Sequence, residues 1–439
     1  MLLPQKHERL RRLAITGGIP AFDEKLYVGR PNLGDQDRLL ERIKDVLDSG
    51  WLTNNGRYLR EFEQRIAKLT GVKHCIAVCN ATIGLELVIR ALGLRGEVIV
   101  PSFTFAATAH ALQWQGVTPV FCDVDPATHS LDPRDVERCI TERITGIIGV
   151  HLWGKACDTE ALEKIARKHR LKLLFDAAHA FGCSHEGRMI GGFGEAEVFS
   201  FHATKFCNSF EGGAITTNND ALAERLRALR NFGISQDDVV LDVGTNGKMT
   251  EVSAAMGITS LEHMDQFVAL NRDNYVTYKK CLSGIAGMRL FEYEEAESNN
   301  FQYIIIEVNE DAAGLSRDQL LEILHAENVM AKRYFYPGCH RMEPYRNAPQ
   351  NVNRRLPVTE RLAGGTLALP TGSAVNEDDV MMICEILATA IRQAGRVRRV
   401  FPLPAKGKAA GRDWKSRLAG TVWDGLNVGA GIDLPVEAG

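Results

Sequence analysis

The pattern that most constrains the fold of this 439-residue chain is a series of short apolar segments between residues 75 and 217. Their apolar residues are continuous and do not alternate with polar ones, which is typical of strands buried on both faces of a parallel sheet. Helical patterns, such as those at 105–115 and 159–169, lie between several of them. We therefore predict an α/β fold with a mainly parallel seven-stranded sheet flanked by helices. The predicted strands are 75–78, 97–100, 119–122, 146–150, 171–175, 198–201 and 214–217.

The residues before and after this region show different patterns. Apolar residues recur at helical spacing in 39–47 and 59–69, and a glycine follows each run, which predicts two amphipathic helices. Beyond residue 257 the chain reads as a long helix to Leu282, a strand at 302–308 and a helix with the capping-box spacing of Ser316 and Gln319. A final helix is expected from Asn376 to about Gln393.

These patterns divide the chain into three parts. We predict a large domain with an N-terminal arm, a smaller α+β domain and a tail whose Pro-, Gly- and Ala-rich composition has no sustained periodicity. The predicted bounds are 1–256, 257–396 and 397–439.

The composition argues against several classes of protein. A formal net charge of −3 does not favour nucleic acid or an anionic membrane as a partner. No apolar run approaches the roughly 18 residues that span a bilayer, and the first residues lack the apolar stretch of a secretory signal. The ten cysteines are scattered and show no zinc-ligand spacing, so we expect free buried thiols, no metal site and a cytoplasmic location.

Two polar residues at predicted strand ends suggest a chemistry. Asp176 closes one apolar strand and Lys205 follows another after a short turn, and parallel strands place their sites at their carboxyl ends. A lysine amine becomes a useful nucleophile when burial lowers its pKa. An aspartate can keep a pyridine nitrogen protonated, so that the ring accepts electrons. Taken singly, each residue is better explained as a turn cap or a surface lysine.

A second segment adds a place for a phosphate. Asn80 is a good N-cap for a helix that begins at Ala81 and Thr82, and the free N–H groups and dipole of a helix start favour an anion. Ser200 is able to add a hydroxyl donor. Phe105, after the next strand, would suit stacking on a flat ring, although a core position is the commoner fate of phenylalanine.

Together these segments resemble the DegT/StrS family, the fold-type I sugar aminotransferases that depend on pyridoxal 5′-phosphate. The resemblance runs from about residue 18 to 391 and is most specific at 176–179, 199–205 and 211–213. It implies that Lys205 carries the cofactor and that Asp176 pairs with its pyridine nitrogen. His179 would lie near the ring oxygen. The phosphate would be held by Ser200 and the backbone of Ala81 and Thr82, and Phe105 would stack on the ring.

The resemblance also implies a shared site and a substrate side. The segment 244–249 matches a loop that, in this family, enters the neighbouring subunit, so Asn246 would contact the partner's cofactor phosphate in a homodimer. The substrate side would include Thr53 and Asn55 of the segment 51–56, together with Tyr336 and His340 of the segment 333–340. The 54–56 sequence is also a good turn, and the aromatic residues near 335 would equally suit core packing.

The activity implied is transfer of an amino group, with glutamate as the expected donor, to a keto group of a nucleotide-linked deoxysugar. The site of amination would be C4 of a dTDP-4-keto-6-deoxyhexose, in a pathway to antibiotic or surface-polysaccharide sugars. A sugar dehydratase of the same fold is one alternative, although those relatives carry histidine in place of Lys205. A non-catalytic regulator or binding protein is another. A nicotinamide dehydrogenase is disfavoured, because the glycine-rich segment 191–194 precedes a strand.

Overall fold

A computed structural model describes residues 12–235, 237–349, 351–352 and 354–400. Its centre is a seven-stranded sheet, and all seven predicted strands are confirmed within a residue or two. Every neighbouring pair is parallel except those made by Gly213–Thr217, which runs antiparallel to both of its neighbours. In spatial order the strands are His74–Val78, Gly213–Thr217, Glu197–Ser200, Lys172–Asp176, Ile144–Val150, Glu97–Pro101 and Thr118–Cys122.

The apolar runs of the strands are continuous because both faces of the sheet are covered. Leu173 and Phe175 point into one core, which they share with Phe62. Leu174, between them, points into a second core that contains Val88. Successive residues of a strand face opposite sides, so a strand between two cores needs an apolar side chain at every position.

Helices cover this sheet and begin with the caps that their sequences supply. The first long helix starts at Asp35, whose carboxylate accepts the Arg38 N–H at 3.0 Å, and stops at Gly50 in the left-handed conformation. The helices of this part are Gln36–Ser49, Arg57–Thr70, Ala81–Ala91, Ala106–Trp114, Pro133–Cys139, Thr159–His169, Asp220–Arg230 and Glu251–Glu262.

The single long helix predicted from residue 257 is wrong, because the chain forms two helices there. The first begins earlier, at Glu251, whose carboxylate accepts the backbone N–H of Tyr58 at 2.8 Å. It ends at His263, whose ring donates to the Thr259 carbonyl at 2.9 Å. The second helix, Met264–Leu282, follows directly. The predicted domain boundary between residues 256 and 257 thus falls inside the helix Glu251–Glu262. The division into domains stays a prediction.

The C-terminal part is α+β, with its own apolar core and a three-stranded antiparallel sheet. The capping boxes expected at Ser316 and Asn376 are both present. The sheet consists of Met288–Leu290, Ile304–Val308 and Thr366–Leu369. The helices that follow Met264–Leu282 are Glu310–Ala313, Arg317–Ala326, Pro357–Gly365, Glu377–Arg392 and Ala394–Val400.

Both ends of the described chain pack on this C-terminal part. Glu327 accepts the backbone N–H groups of Ala14 and Ala21, each at 2.7 Å, so the N-terminal arm is bound to a distant segment. At the other end the final helix continues past residue 396, where the tail was predicted to begin, and Val397 is buried. Residues 401–439 lie outside the described residues, and the tail remains a prediction there.

Short elements complete the structure. Leu26–Tyr27 pairs with Val329–Met330, Ser184–His185 pairs with Arg188–Met189, and 3₁₀ turns occur at Ala14–Thr16, Leu152–Gly154 and Cys339–Arg341. No helix among the described residues combines the length and the apolarity that crossing a bilayer requires.

Candidate functional site

Asp176 is a buried acidic residue at the carboxyl end of the parallel strand Lys172–Asp176. Its carboxylate accepts the Thr108 hydroxyl at 2.8 Å and the Ala178 backbone N–H at 3.1 Å. Burial raises the pKa of this carboxyl, while the two hydrogen bonds and the nearby Lys205 oppose the rise. A carboxylate in such a place is stabilised by a cationic partner.

Lys205 places an amine beside this anion, as the sequence predicted. The strand before it, Glu197–Ser200, is the parallel neighbour of Lys172–Asp176. In the turn that follows, the Lys205 backbone N–H donates to the His202 carbonyl, and this turn directs the lysine side chain back towards Asp176. Nζ donates to the Tyr303 hydroxyl at 2.9 Å. Burial lowers the pKa of Lys205 to about 8, against the opposing effect of Asp176. An uncharged amine is therefore accessible near neutral pH.

An aromatic wall surrounds the amine. The His179 ring lies with its centroid 4.2 Å from that of Tyr303 and stacks on Trp153 at 5.5 Å. The Trp153 backbone N–H donates to His179 Nδ1 at 3.4 Å, which leaves the ring proton on Nε2. Burial, helped by Lys205, holds the pKa of His179 well below its usual range, so the ring is neutral.

The residues predicted to hold a phosphate lie around Gly213. Gly213 pairs with Ser200 on one side, and a Cβ at this position would lie 2.7 Å from the Ala81 backbone nitrogen. The absence of a side chain lets the start of the helix Ala81–Ala91 approach the sheet. Asn80 caps this helix by accepting the Ile83 N–H at 2.9 Å. Ser200 and the backbone at Ala81 and Thr82 are thereby brought to one edge.

Phe105 lies at the same edge. It is the N-cap residue of the helix Ala106–Trp114, one turn before Thr108, whose hydroxyl contacts Asp176. Phe105 is 61% exposed, so the alternative of a core phenylalanine is not what the structure shows. A large aromatic side chain that remains exposed beside a buried carboxylate is available to a flat ligand.

Three residues of the site were missed by the sequence analysis: Thr108, Trp153 and Tyr303. Trp153 follows the strand Ile144–Val150, so the rule that found Asp176 at a strand end would have indicated it as well. Thr108 and Tyr303 had no comparable signal. Tyr303 is 98 residues from Lys205 in sequence and directly precedes the strand Ile304–Val308.

The residues expected on the substrate side differ in accessibility. Thr53 is partly exposed, Asn55 is exposed and Tyr336 is about half exposed. His340 is fully buried, and its ring nitrogens contact the Ser102 hydroxyl at 2.6 Å and Glu360 at 3.2 Å. Both ring nitrogens of His340 thus have protein partners, and its role in binding substrate stays a prediction.

Asn246 is exposed and lies on a loop that passes close to Val78 and Cys79, just before the helix Ala81–Ala91 of its own chain. The Gly247 carbonyl accepts the Cys79 N–H at 2.8 Å, and Lys248 forms a bridge with Val78. The Asn246 side chain is exposed. The loop is thus anchored next to one site with a side chain free to reach elsewhere, and its contact with a partner subunit stays a prediction.

The chain is similar over most of its length to several proteins that make or bind sugars linked to nucleotides. A dTDP-4-amino-4,6-dideoxy-D-glucose transaminase of Shigella dysenteriae is 36% identical over 372 residues, which are 85% of this chain and 100% of the relative. A GDP-perosamine synthase of Caulobacter vibrioides is 34% identical over 361 residues, 81% of this chain and 95% of the relative. The crystal structure of DesI with its TDP-sugar product superposes with a TM-score of 0.85 at 49% identity, covering 89% of this chain and 99% of DesI.

The family model for DegT/DnrJ/EryC1/StrS aminotransferases matches residues 34–388, which include every predicted site residue. The same span holds the seven-stranded sheet, the buried pair of Asp176 and Lys205, and the helix start at Ala81. The chain belongs to the DegT/DnrJ/EryC1/StrS aminotransferase family and has the fold-type I architecture of its sugar aminotransferases.

Proposed function

We propose that this enzyme uses pyridoxal 5′-phosphate to move an amino group from glutamate to C4 of a dTDP-4-keto-6-deoxyhexose. The observation that carries the proposal is the buried carboxylate of Asp176 beside the desolvated amine of Lys205. The substrate class is supported by the names of the Shigella relative and of DesI, whose structure holds a TDP-sugar product. The expected cytoplasmic location goes with this proposal.

The chemistry of the donor set fits pyridoxal phosphate at both of its ends. Asp176 offers an anion for a protonated pyridine nitrogen, and Lys205 offers an amine for the aldehyde. The neutral His179 ring, with its proton on Nε2, offers a donor for the ring oxygen. The helix start at Ala81 and Thr82, next to Ser200, would hold the phosphate.

The residues divide the work of the reaction between them. When bound, pyridoxal phosphate supplies an aldehyde for the donor's amino group and a ring that accepts electrons. Lys205 Nζ takes the proton from the α-carbon of the amino-acid donor and returns a proton in the second half-reaction. Tyr303 holds Nζ through its hydroxyl. Thr108 and Ala178 donate to Asp176 and so favour its ionised form, against the effect of burial, which raises its pKa.

Cofactor uptake by the apoenzyme should depend on pH. Burial lowers the pKa of Lys205 to about 8, and only the deprotonated amine bonds to an aldehyde, so uptake should speed up as the pH rises through about 8 and then level off. The growth of visible absorbance after cofactor addition measures the rate. A rate that keeps rising towards the pKa of an exposed lysine, about 10.4, would show that Nζ is not desolvated.

The reaction itself is tested with a panel of 4-keto and 3-keto nucleotide sugars and with glutamate as donor. The proposal expects an aminated product at C4 and 2-oxoglutarate in equal amounts. Loss of a hydroxyl group without amination would support the alternative of a dehydratase. The absence of any bound cofactor absorbance would support a non-catalytic binding protein.

We further propose a homodimer in which each active site uses residues of both chains. Leu40 and Leu47 lie on one face of the helix Gln36–Ser49, and both, with Trp51 and Leu52 after it, are more than half exposed in the single chain. Apolar side chains clustered in this way are typical of a protein interface. A groove of about 1090 Å³, lined by Asn55 and Lys248 among others, borders the same surface.

A mixing experiment tests whether Asn246 acts in the partner's site. Lys205→Ala and Asn246→Ala homodimers should both be impaired, the second less, since it loses one hydrogen bond to a charged group, worth about 1.5–3 kcal/mol. In a heterodimer of the two, one site carries both lesions and the other is intact. Exchange of subunits, confirmed by mass, should therefore restore up to half of wild-type activity per heterodimer.

A matched mixture serves as the control. Lys205→Ala and Asp176→Asn lie in the same chain's site, so every site of their heterodimer carries one lesion and no activity should return. If the Asn246 mixture also stays at the average of its two parents, Asn246 acts within its own chain.

A further inference from the structure

Two thiols outside the active site meet at the edge of the large sheet. Cys122 ends the edge strand Thr118–Cys122, and Cys139 ends the helix Pro133–Cys139. Their sulfur atoms are 3.0 Å apart and both side chains are buried. The distance between the two sulfur atoms would have to decrease by about 1 Å to reach the roughly 2.05 Å of a disulfide bond.

Charged groups surround this thiol pair. Arg354 Nη2 lies 2.5 Å from Cys139 Sγ and 3.8 Å from Cys122 Sγ. The same guanidinium is 3.6 Å from the Asp135 carboxylate, which also accepts the Asp123 N–H at 2.7 Å. A guanidinium in contact with a thiol favours the thiolate over the neutral form.

The two thiols are not equivalent. The hydrogen bond from Cys122, with the charge of Arg354, lowers the pKa of Cys139 against the effect of burial. Burial raises the pKa of Cys122 well above its usual range. The Arg354 guanidinium lies closer to Cys139 Sγ than to Cys122 Sγ, so Cys139 is the nucleophile of the pair and Cys122 the second thiol.

The cluster also contains the atoms of a possible metal site, which the sequence analysis did not expect. One ligand atom each from Cys122, Asp135 and Cys139 lies within 4.8 Å of the others. The guanidinium of Arg354 is in direct contact with Cys139 Sγ and would face a bound cation at short range. The positive charge already present favours a thiolate without a metal.

We propose that Cys122 and Cys139 form a site of reversible oxidation, at which a hydroperoxide converts the two thiols into an intramolecular disulfide. The Cys139 thiolate attacks the peroxide, its O–O bond breaks, and the leaving oxygen departs as hydroxide or alkoxide and takes a proton from water. The sulfenic acid on Cys139 then reacts with the Cys122 thiol, and water leaves as the S–S bond forms. Two electrons pass from the dithiol to the peroxide.

A second thiol pair in the same chain provides an internal control. Cys281 and Cys384 lie on the helices Met264–Leu282 and Glu377–Arg392, and burial, together with Cys281 and the anion of Glu385, raises the pKa of Cys384. The charged neighbour of this pair is the carboxylate of Glu385, whereas the charged neighbour of Cys139 is the guanidinium of Arg354. It should oxidise more slowly than Cys122 and Cys139.

The test is a time course of the full-length protein with limiting hydrogen peroxide at neutral pH, followed by alkylation of free thiols and peptide mass mapping. The expected result is a peptide cross-linked between Cys122 and Cys139, lighter by two hydrogen atoms and restored by dithiothreitol. It should appear before any product at Cys281, Cys384 or the partly exposed Cys79. Preferential modification of those cysteines would overturn the proposal.

Two variants distinguish the mechanism from simple proximity. Arg354→Gln should slow formation of the cross-link by about tenfold, the change for one unit of thiol pKa at fixed pH. Cys139→Ser should leave Cys122 reduced, with the far-ultraviolet circular dichroism of the wild type as the check on folding. If Arg354→Gln formed the cross-link at the wild-type rate, the guanidinium would not activate Cys139. One equivalent of zinc in the purified protein, lost in Cys139→Ser, would replace the oxidation site with a metal site.

Discussion

Lys205→Ala is expected to lose the covalent attachment of the cofactor and to lower turnover by roughly 10³–10⁴-fold, the upper range for removal of a general acid–base group. Tyr303 and Asp176 would remain, but burial raises the pKa of Tyr303 well above its usual range, and neither residue supplies the amine that Lys205 provides. The measurements are the visible absorbance of the purified protein, the mass of the borohydride-reduced protein and the rate of amination.

The control for Lys205 is a second lysine whose pKa is also lowered by burial but which has no contact with Asp176 or Tyr303 in the described structure. Lys332 is exposed as a residue, yet burial of its amine lowers its pKa, and its backbone pairs with Ala368 in the C-terminal part. Lys332→Ala should keep the absorbance and the rate. Transamination at the wild-type rate in Lys205→Ala would show that another residue moves the proton and would end the proposed mechanism.

Asp176→Asn is expected to bind the cofactor but to slow the first half-reaction by roughly 100-fold, which corresponds to about 2.7 kcal/mol of barrier. A neutral amide no longer stabilises a protonated pyridine nitrogen, so the ring accepts electrons poorly. The amide also turns its NH₂ group towards one of the two donors, Thr108 and Ala178, that hold the carboxylate. Single-turnover absorbance changes with glutamate measure the effect.

A second buried aspartate at a strand end controls for structural damage. Asp123 follows the strand Thr118–Cys122 and accepts the backbone N–H groups of Val358 and Thr359 at 3.0 and 2.7 Å. Asp123→Asn should lower the melting temperature while leaving the half-reaction rate of the folded protein intact. If Asp176→Asn reacted within a factor of about two of wild type, well under 1 kcal/mol of barrier, Asp176 would not be the pyridine partner.

The sheet was predictable from the sequence because its strands are defined by a local pattern. A strand between two cores needs an apolar residue at each position, as Leu173, Leu174 and Phe175 show, and such runs are read directly from the chain. Helix starts were equally local. Ser316 and Asn376 cap helices with partners three residues away, and both capping boxes form as expected.

The structure brings the predicted site residues together where short segments of sequence contain them. Asp176 ends one apolar strand and Lys205 follows another after a short turn, and the two strands are neighbours in the sheet. The helix start at Ala81 could be predicted from its N-cap residue, Asn80, and from the small residues that follow it. The family resemblance rested on these same segments, which is why the fold and the class of enzyme followed from them.

The tertiary structure decided what depends on residues far apart in sequence. Tyr303 meets Lys205 across 98 residues. His340 is buried with Ser102 and Glu360 on its two ring nitrogens, which the sequence around it did not indicate. The break at His263 and the meeting of Cys122 with Cys139 were equally unpredictable. Local patterns determine which residues form strands, helices and caps, because those interactions span a few residues. Which side chains then share a cavity is set by packing between distant segments, which leaves no periodic trace in the chain.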